Sequence, residues 1–70
     1  MNFSQALDRI KWGMPMTRIA WGDPETYVYR LLPPDEDKIN IRYSSGSTSL
    51  WSPTVEDVMA LDWADTVRID

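Results

Sequence analysis

The sequence predicts an α+β fold: an N-terminal helix packed on a five-stranded antiparallel sheet, with a short helix before the last strand. Three observations predict it. Apolar residues fall at helical spacing from Phe3 to Ile10. From Met16 onward the pattern alternates in short runs separated by turn residues. A second helix-start signature, Thr54 with Asp57 three residues on, interrupts that alternation before it resumes at Trp63.

Phe3, Ala6, Leu7 and Ile10 make one apolar stripe on the first helix. Asn2 with Gln5 has the spacing of a capping box, with Ser4 a competing cap. Lys11 suits the last turn, Gly13 the left-handed terminator, and Pro15 forbids continuation. "MTRIAW" then alternates, placing Thr17, Ile19 and Trp21 opposite Met16, Arg18 and Ala20. "GDPE" is a turn, "TYVYRLL" a second strand and "PPDEDK" a solvated loop. "INIRYS" is a third strand, and "SGST" turns the chain into a fourth at Ser49 to Trp51. Pro53 ends that strand, and Val55, Val58 and Met59 give the short helix its apolar face. "DWADTVRI" is the fifth strand.

Seventy residues are expected to form one small domain, residues 1–70. A chain this short buries only about 60% of the surface that it exposes when unfolded. Small domains gain margin from disulfides, a metal or self-association. Neither cysteine nor histidine is present, which removes the first route and the usual zinc ligands. Self-association remains, so a homo-oligomer is expected, with no metal and no cofactor. The net charge of −4 argues against duplex nucleic acid held through its phosphates. No apolar run approaches the roughly 18 residues of a membrane span, so no membrane partner is expected. "MNFSQALDRIK" does not have the form of a signal peptide, which points to the cytoplasm.

Missing His and Cys also removes the commonest catalytic base and the thiolate nucleophile. The carboxylate pairs Glu56–Asp57 and Asp62–Asp65 are more simply helix-start and strand charges, so no catalytic residue is expected. The three glycines are isolated at turns and form no phosphate loop. The aromatics, 11% of the chain, are the informative group. Trp63 opens an alternating strand and is expected in the core or at a subunit interface. Trp12 lies off the helix stripe and suits an interface. Trp21 and Trp51 each end a strand at a loop mouth, where an indole stacks readily on a base.

These residues, in this order, resemble the phage Thoeris anti-defence sponge family of the second type. The segments that carry the resemblance are "MNFSQAL", Gly13, "TRIAW" with Arg18 and Trp21, and "LWSPTVEDVMALDW". The last contains a Trp-x-Pro-x-x-x-Asp stretch followed by Asp-Trp. The resemblance implies a phage anti-defence protein that is not an enzyme. It would act in the host cytoplasm by sequestering, uncleaved, a cyclic ADP-ribose isomer made by a TIR-domain protein. Some members also hold cyclic di- or trinucleotides. It implies the same helix-and-sheet fold, a homotetramer, and ligand pockets between subunits. Carried onto this chain, Trp21 and Trp51 would stack on the base, and Arg18 would meet phosphate or ribose. Asp57 would accept from a ribose hydroxyl or a base amine, and Thr54 with Ser52 would contact phosphate. Phe3 would wall the pocket or belong to the core, and Arg42 and Arg68 are further cations if symmetry brings copies together. Simple alternation sets Arg18 and Trp21 on opposite faces, so a strand-end twist or a neighbouring subunit is needed. An acidic inhibitor that binds a host enzyme directly is the alternative, since the charge and the surplus aromatics suit an interface equally.

Overall fold

A computed structural model describes residues 1–35 and 38–66. Helix α1 spans Phe3–Lys11 and starts with the expected capping box. Gln5 N–H donates to Asn2 Oδ1 at 2.9 Å, and Asn2 N–H donates to Gln5 Oε1 at 3.0 Å. Gly13, at φ 88°, takes the left-handed conformation that closes the helix. Five short strands follow: β1 (Met16–Arg18), β2 (Tyr27–Arg30), β3 (Ile39–Arg42), β4 (Thr48–Leu50) and β5 (Trp63–Asp65). Helix α2, Val55–Met59, precedes β5. The sheet order is β4-β3-β2-β1-β5, antiparallel throughout, so the last strand returns to pair beside the first.

The register decides which side chains meet α1. Met16 lies opposite Val28, and Val28 opposite Ile41, which sets the three on one face. With Ala6 and Ile10 from α1, and with Trp63, they form the buried core. Trp63 is 1% exposed. An indole removes about 200 Å² from water, worth about 5 kcal/mol at ~25 cal/mol/Å². That is comparable to the whole net stability of a small domain. Of the two places expected for it, Trp63 therefore occupies the core. Its indole N–H donates to the Asp57 carbonyl at 3.0 Å, which ties α2 to the sheet. Tyr27, Tyr29, Asn40 and Arg42 alternate onto the other sheet face, where the two tyrosine rings stand 5.7 Å apart.

Several strand boundaries differ from the sequence pattern; the third strand, for one, ends at Arg42 and not at Ser44. The first strand stops at Arg18 instead of running to Trp21. Ile19–Trp21 forms a 3₁₀ turn, closed by a Gly22 N–H bond to the Ile19 carbonyl and by Gly22 at φ 70°. The fourth strand is Thr48–Leu50, one residue earlier than expected, although Trp51 N–H still bonds to the Ile39 carbonyl. The second strand ends at Arg30, with Leu31 N–H reaching the Lys38 carbonyl. The expected continuation of the last strand through Val67 and Ile69, and the cation Arg68, lie outside the described residues. Among the described residues no helix is long and apolar enough to cross a membrane.

Candidate functional site

The early end of β1 builds the site. Alternation would carry Trp21 away from Arg18, but the 3₁₀ turn swings the chain after Arg18 and brings both side chains to one cleft. The anticipated twist at the strand end is this turn. Asp62 holds it: the Asp62 carbonyl accepts from Ile19 N–H at 3.1 Å, and its Oδ2 from Ala20 N–H at 2.8 Å.

The cleft has a volume of about 700 Å³, within the range of small-molecule sites. Six of the seven residues singled out from the sequence line it: Arg18, Trp21, Trp51, Ser52, Thr54 and Asp57. The seventh, Phe3, does not; its ring packs against Trp63 at 5.7 Å, beside the core. Trp63 organises the aromatic cluster behind the cleft. Trp21 meets it edge-on at 5.6 Å and 78°, and Trp51 at 6.1 Å and 81°. Both indoles are only partly buried, so each keeps ring surface for another partner.

Arg18 crosses the inner wall of the cleft with its side chain 8% exposed. Its Nε–H donates to Asp62 Oδ1 and its Nη1–H to Asp57 Oδ1, both at 2.9 Å. Nη2 has no bond to any described residue. The two aspartates keep the guanidinium charged, Asp62 contributing most, and raise its pKa against the opposing effect of burial. For Asp57, burial is the largest single effect and pushes the pKa up. The Thr54 amide, Arg18 and the Thr54 hydroxyl together outweigh it, so the carboxyl sits below its usual range. Asp62 is also held low, chiefly by Arg18 and then by the Ala20 amide.

This geometry limits what two of the residues can offer. Asp57 Oδ2 accepts from both the amide and the hydroxyl of Thr54, at 2.9 and 3.0 Å. A carboxylate has about four lone-pair positions, and three are filled. Thr54 Oγ1 also accepts from Asp57 N–H at 3.2 Å, so its donor and its cap are both engaged. Ser52 is exposed, with no such commitment among the described residues.

The lining also carries Asp23, Thr26, Ile41 and Tyr43, which the sequence did not single out, and Glu56, which it marked only as a helix-start charge. One cation thus faces three carboxylates across the cleft. Asp23 is held below the usual range by the Ser44 hydroxyl first, then by Glu25 N–H. The suggested carboxylate pairs do not act as pairs. Asp62 bonds to Arg18, whereas Asp65 meets Arg9 at 3.2 Å. Glu56 is exposed while neighbouring Asp57 is buried. On the far side of Tyr43 lies a smaller recess of about 360 Å³, lined by Tyr27, Arg42 and Ser44 among others. There Arg42 donates to Tyr27 Oη at 3.2 Å.

Residues 1–65 match the sequence family described as the Thoeris anti-defense 2-like domain. No curated protein matches the chain. The matched span includes every residue of the cleft.

Proposed function

The chain belongs to the Thoeris anti-defense 2-like family, a phage anti-defence family, and from that premise we propose that it sequesters a cyclic nucleotide signal without cleaving it. The observation that carries this reading is the pair of part-buried indoles, Trp21 and Trp51, lining one cleft and braced by Trp63. Stacking a base on an indole contributes ~1–3 kcal/mol. A charge-assisted bond from Arg18 Nη2 adds ~1.5–3 kcal/mol. Ser52 supplies a further donor at the rim. The ligand is a cyclic ADP-ribose isomer or a related cyclic oligonucleotide, met where it is made, in the host cytoplasm.

Binding without turnover is favoured by the acid–base inventory. A general acid or base works best with a pKa near the operating pH. Asp23 and Asp57 in the cleft, and Asp62 behind it, are all held on the low side of the carboxylate range. They are anions with fixed partners, poor at exchanging protons near neutrality.

One cation among three carboxylates is too few for a bisphosphate, so the reading includes a homo-oligomer, a tetramer by family resemblance. A second copy then brings cations such as Arg42 to the rim. Among the described residues ten large apolar side chains are exposed, far more than scattered surface positions need. Val55, Val58 and Met59 form a continuous exposed face on α2, beside the cleft residues Thr54, Glu56 and Asp57.

The test is to mix purified protein with cyclic ADP-ribose isomers, remove the protein by filtration, and heat it. Depletion of one isomer from the filtrate and its recovery intact from the heated protein support sequestration. Recovery of a linear product refutes it.

A further inference from the structure

Resting on the reading of this cleft as the nucleotide site, we infer that Asp62 is its positioning residue, fixing both Arg18 and the turn that presents Trp21. All three of its acceptor oxygens land on one three-residue stretch, Arg18 to Ala20. Oδ1 takes Arg18 Nε–H at 2.9 Å, Oδ2 takes Ala20 N–H at 2.8 Å, and the carbonyl takes Ile19 N–H at 3.1 Å. Ile19 and Ala20 open the 3₁₀ turn, where amides have no partner within the turn itself. Asp62 supplies both partners, and Gly22 closes the other end. Trp21 is therefore clamped from both sides of its backbone.

Asp62 itself does not line the cleft; it acts from behind, through Arg18 and Ala20. Its carboxylate sits at the entry to β5, next to Trp63, so the clamp is anchored to the most buried part of the sheet. On Arg18 the division of labour is clear. Asp57 and Asp62 hold Nη1 and Nε, and among the described residues Nη2 is the one unbonded corner of a guanidinium that cannot rotate without breaking one of two ion pairs.

Electrostatics and positioning predict opposite signs for one substitution. Asp62→Asn removes a negative charge beside Arg18, which by Coulomb attraction alone tightens the hold on an anionic ligand. Positioning predicts the reverse. Asparagine keeps one oxygen, so either Arg18 Nε–H or Ala20 N–H must face an amide donor, and one of the two cleft groups is released. Asp62→Glu preserves the charge but moves the carboxylate outward by one methylene.

The experiment measures cyclic ADP-ribose affinity by calorimetry, alongside melting temperature, for wild type, Asp62→Asn and Asp62→Glu. A ligand-free arm records amide and Arg18 Nε–H resonances by NMR with acrylamide quenching of Trp emission. The expected result is an affinity loss of at least tenfold in both variants while they stay folded. The Ala20 amide, the Arg18 Nε–H and the Trp21 indole should shift, while the Trp63 indole N–H stays protected from exchange by its bond to the Asp57 carbonyl. Unchanged or tighter binding in a folded Asp62→Asn protein overturns the inference. If wild type does not bind cyclic ADP-ribose, the functional reading fails for that ligand and the NMR arm decides for Asp62. Undisturbed Ala20, Arg18 and Trp21 signals in either folded variant overturn the positioning role. Should Asp62→Asn not fold, Asp62→Glu decides on its own: charge alone predicts unchanged affinity, positioning predicts the loss.

Discussion

Asp57→Asn tests how far the cleft and the fold share one structure. The substitution keeps the shape of the side chain and removes its charge. Asp57 and Arg18 have side chains only 9% and 8% exposed, so the lost partner leaves a buried guanidinium with Asp62 as its remaining anion. Removing one member of a buried pair typically costs ~3–5 kcal/mol. Because Asp62 still compensates Arg18, the lower end applies, about 3 kcal/mol. A 70-residue domain has a total of roughly 3.5–10 kcal/mol at 0.05–0.15 kcal/mol per residue, so the variant should lose a third or more of its stability. Urea unfolding followed by tryptophan emission reads this directly. With slopes of about 1–3 kcal/mol/M, the midpoint should drop by roughly 1–3 M at pH 7. The pH dependence gives a second check. Asp57 is held below its ordinary value of 3.8, so its contribution is fully present above about pH 4. It is lost as pH falls through the lower folded-state value. The gap between wild type and variant should therefore narrow in acid. A loss under about 1 kcal/mol at pH 7, or a gap that stays constant down to pH 2, would refute the reasoning.

Phe3→Ala should lower stability by about 2 kcal/mol, less than the ~3–5 kcal/mol of a fully buried ring, because Phe3 is half-covered against Trp63. Ligand affinity of the folded protein should not change, and a drop in affinity at constant melting temperature would return Phe3 to the pocket. Thr54→Ala should cost ~1 kcal/mol through loss of the α2 cap, read from the same urea curves. Met59→Lys, on the exposed α2 face, should dissociate the proposed oligomer in sedimentation velocity while leaving the monomer folded by circular dichroism.

Local signals were the easiest to read. The α1 cap, its stripe and its glycine terminator all lie within a dozen residues, and the structure reproduces each bond the spacing implies. The α2 cap was legible for the same reason. Strand 1 was overrun because Ile19–Ala20–Trp21 continues the alternation. What stops it is an acceptor 42 residues away, Asp62, which captures the Ala20 amide. Nothing in a strand pattern reports such a partner. The same distance hid the Arg18 ion pairs, so Asp57 looked free to meet a ligand when most of its lone pairs serve Arg18 and Thr54. Trp63 was open between core and interface until the β1–β5 pairing placed it opposite Arg18. The gathering of Trp21 and Trp51 at one cleft rested on the resemblance, since their positions in sequence do not fix their positions in space.

The most direct test of the central claim is a native mass spectrometry titration with cyclic nucleotides. It compares wild type with Trp21→Ala and Trp51→Ala, each checked for folding and assembly. The expected result is a wild-type oligomer carrying ligand of unaltered mass. Each tryptophan variant, still assembled, should show an affinity lower by roughly five- to 150-fold, the equivalent of ~1–3 kcal/mol per stack. Equal ligand occupancy in wild type and both variants would contradict the claim that these two rings grip the base.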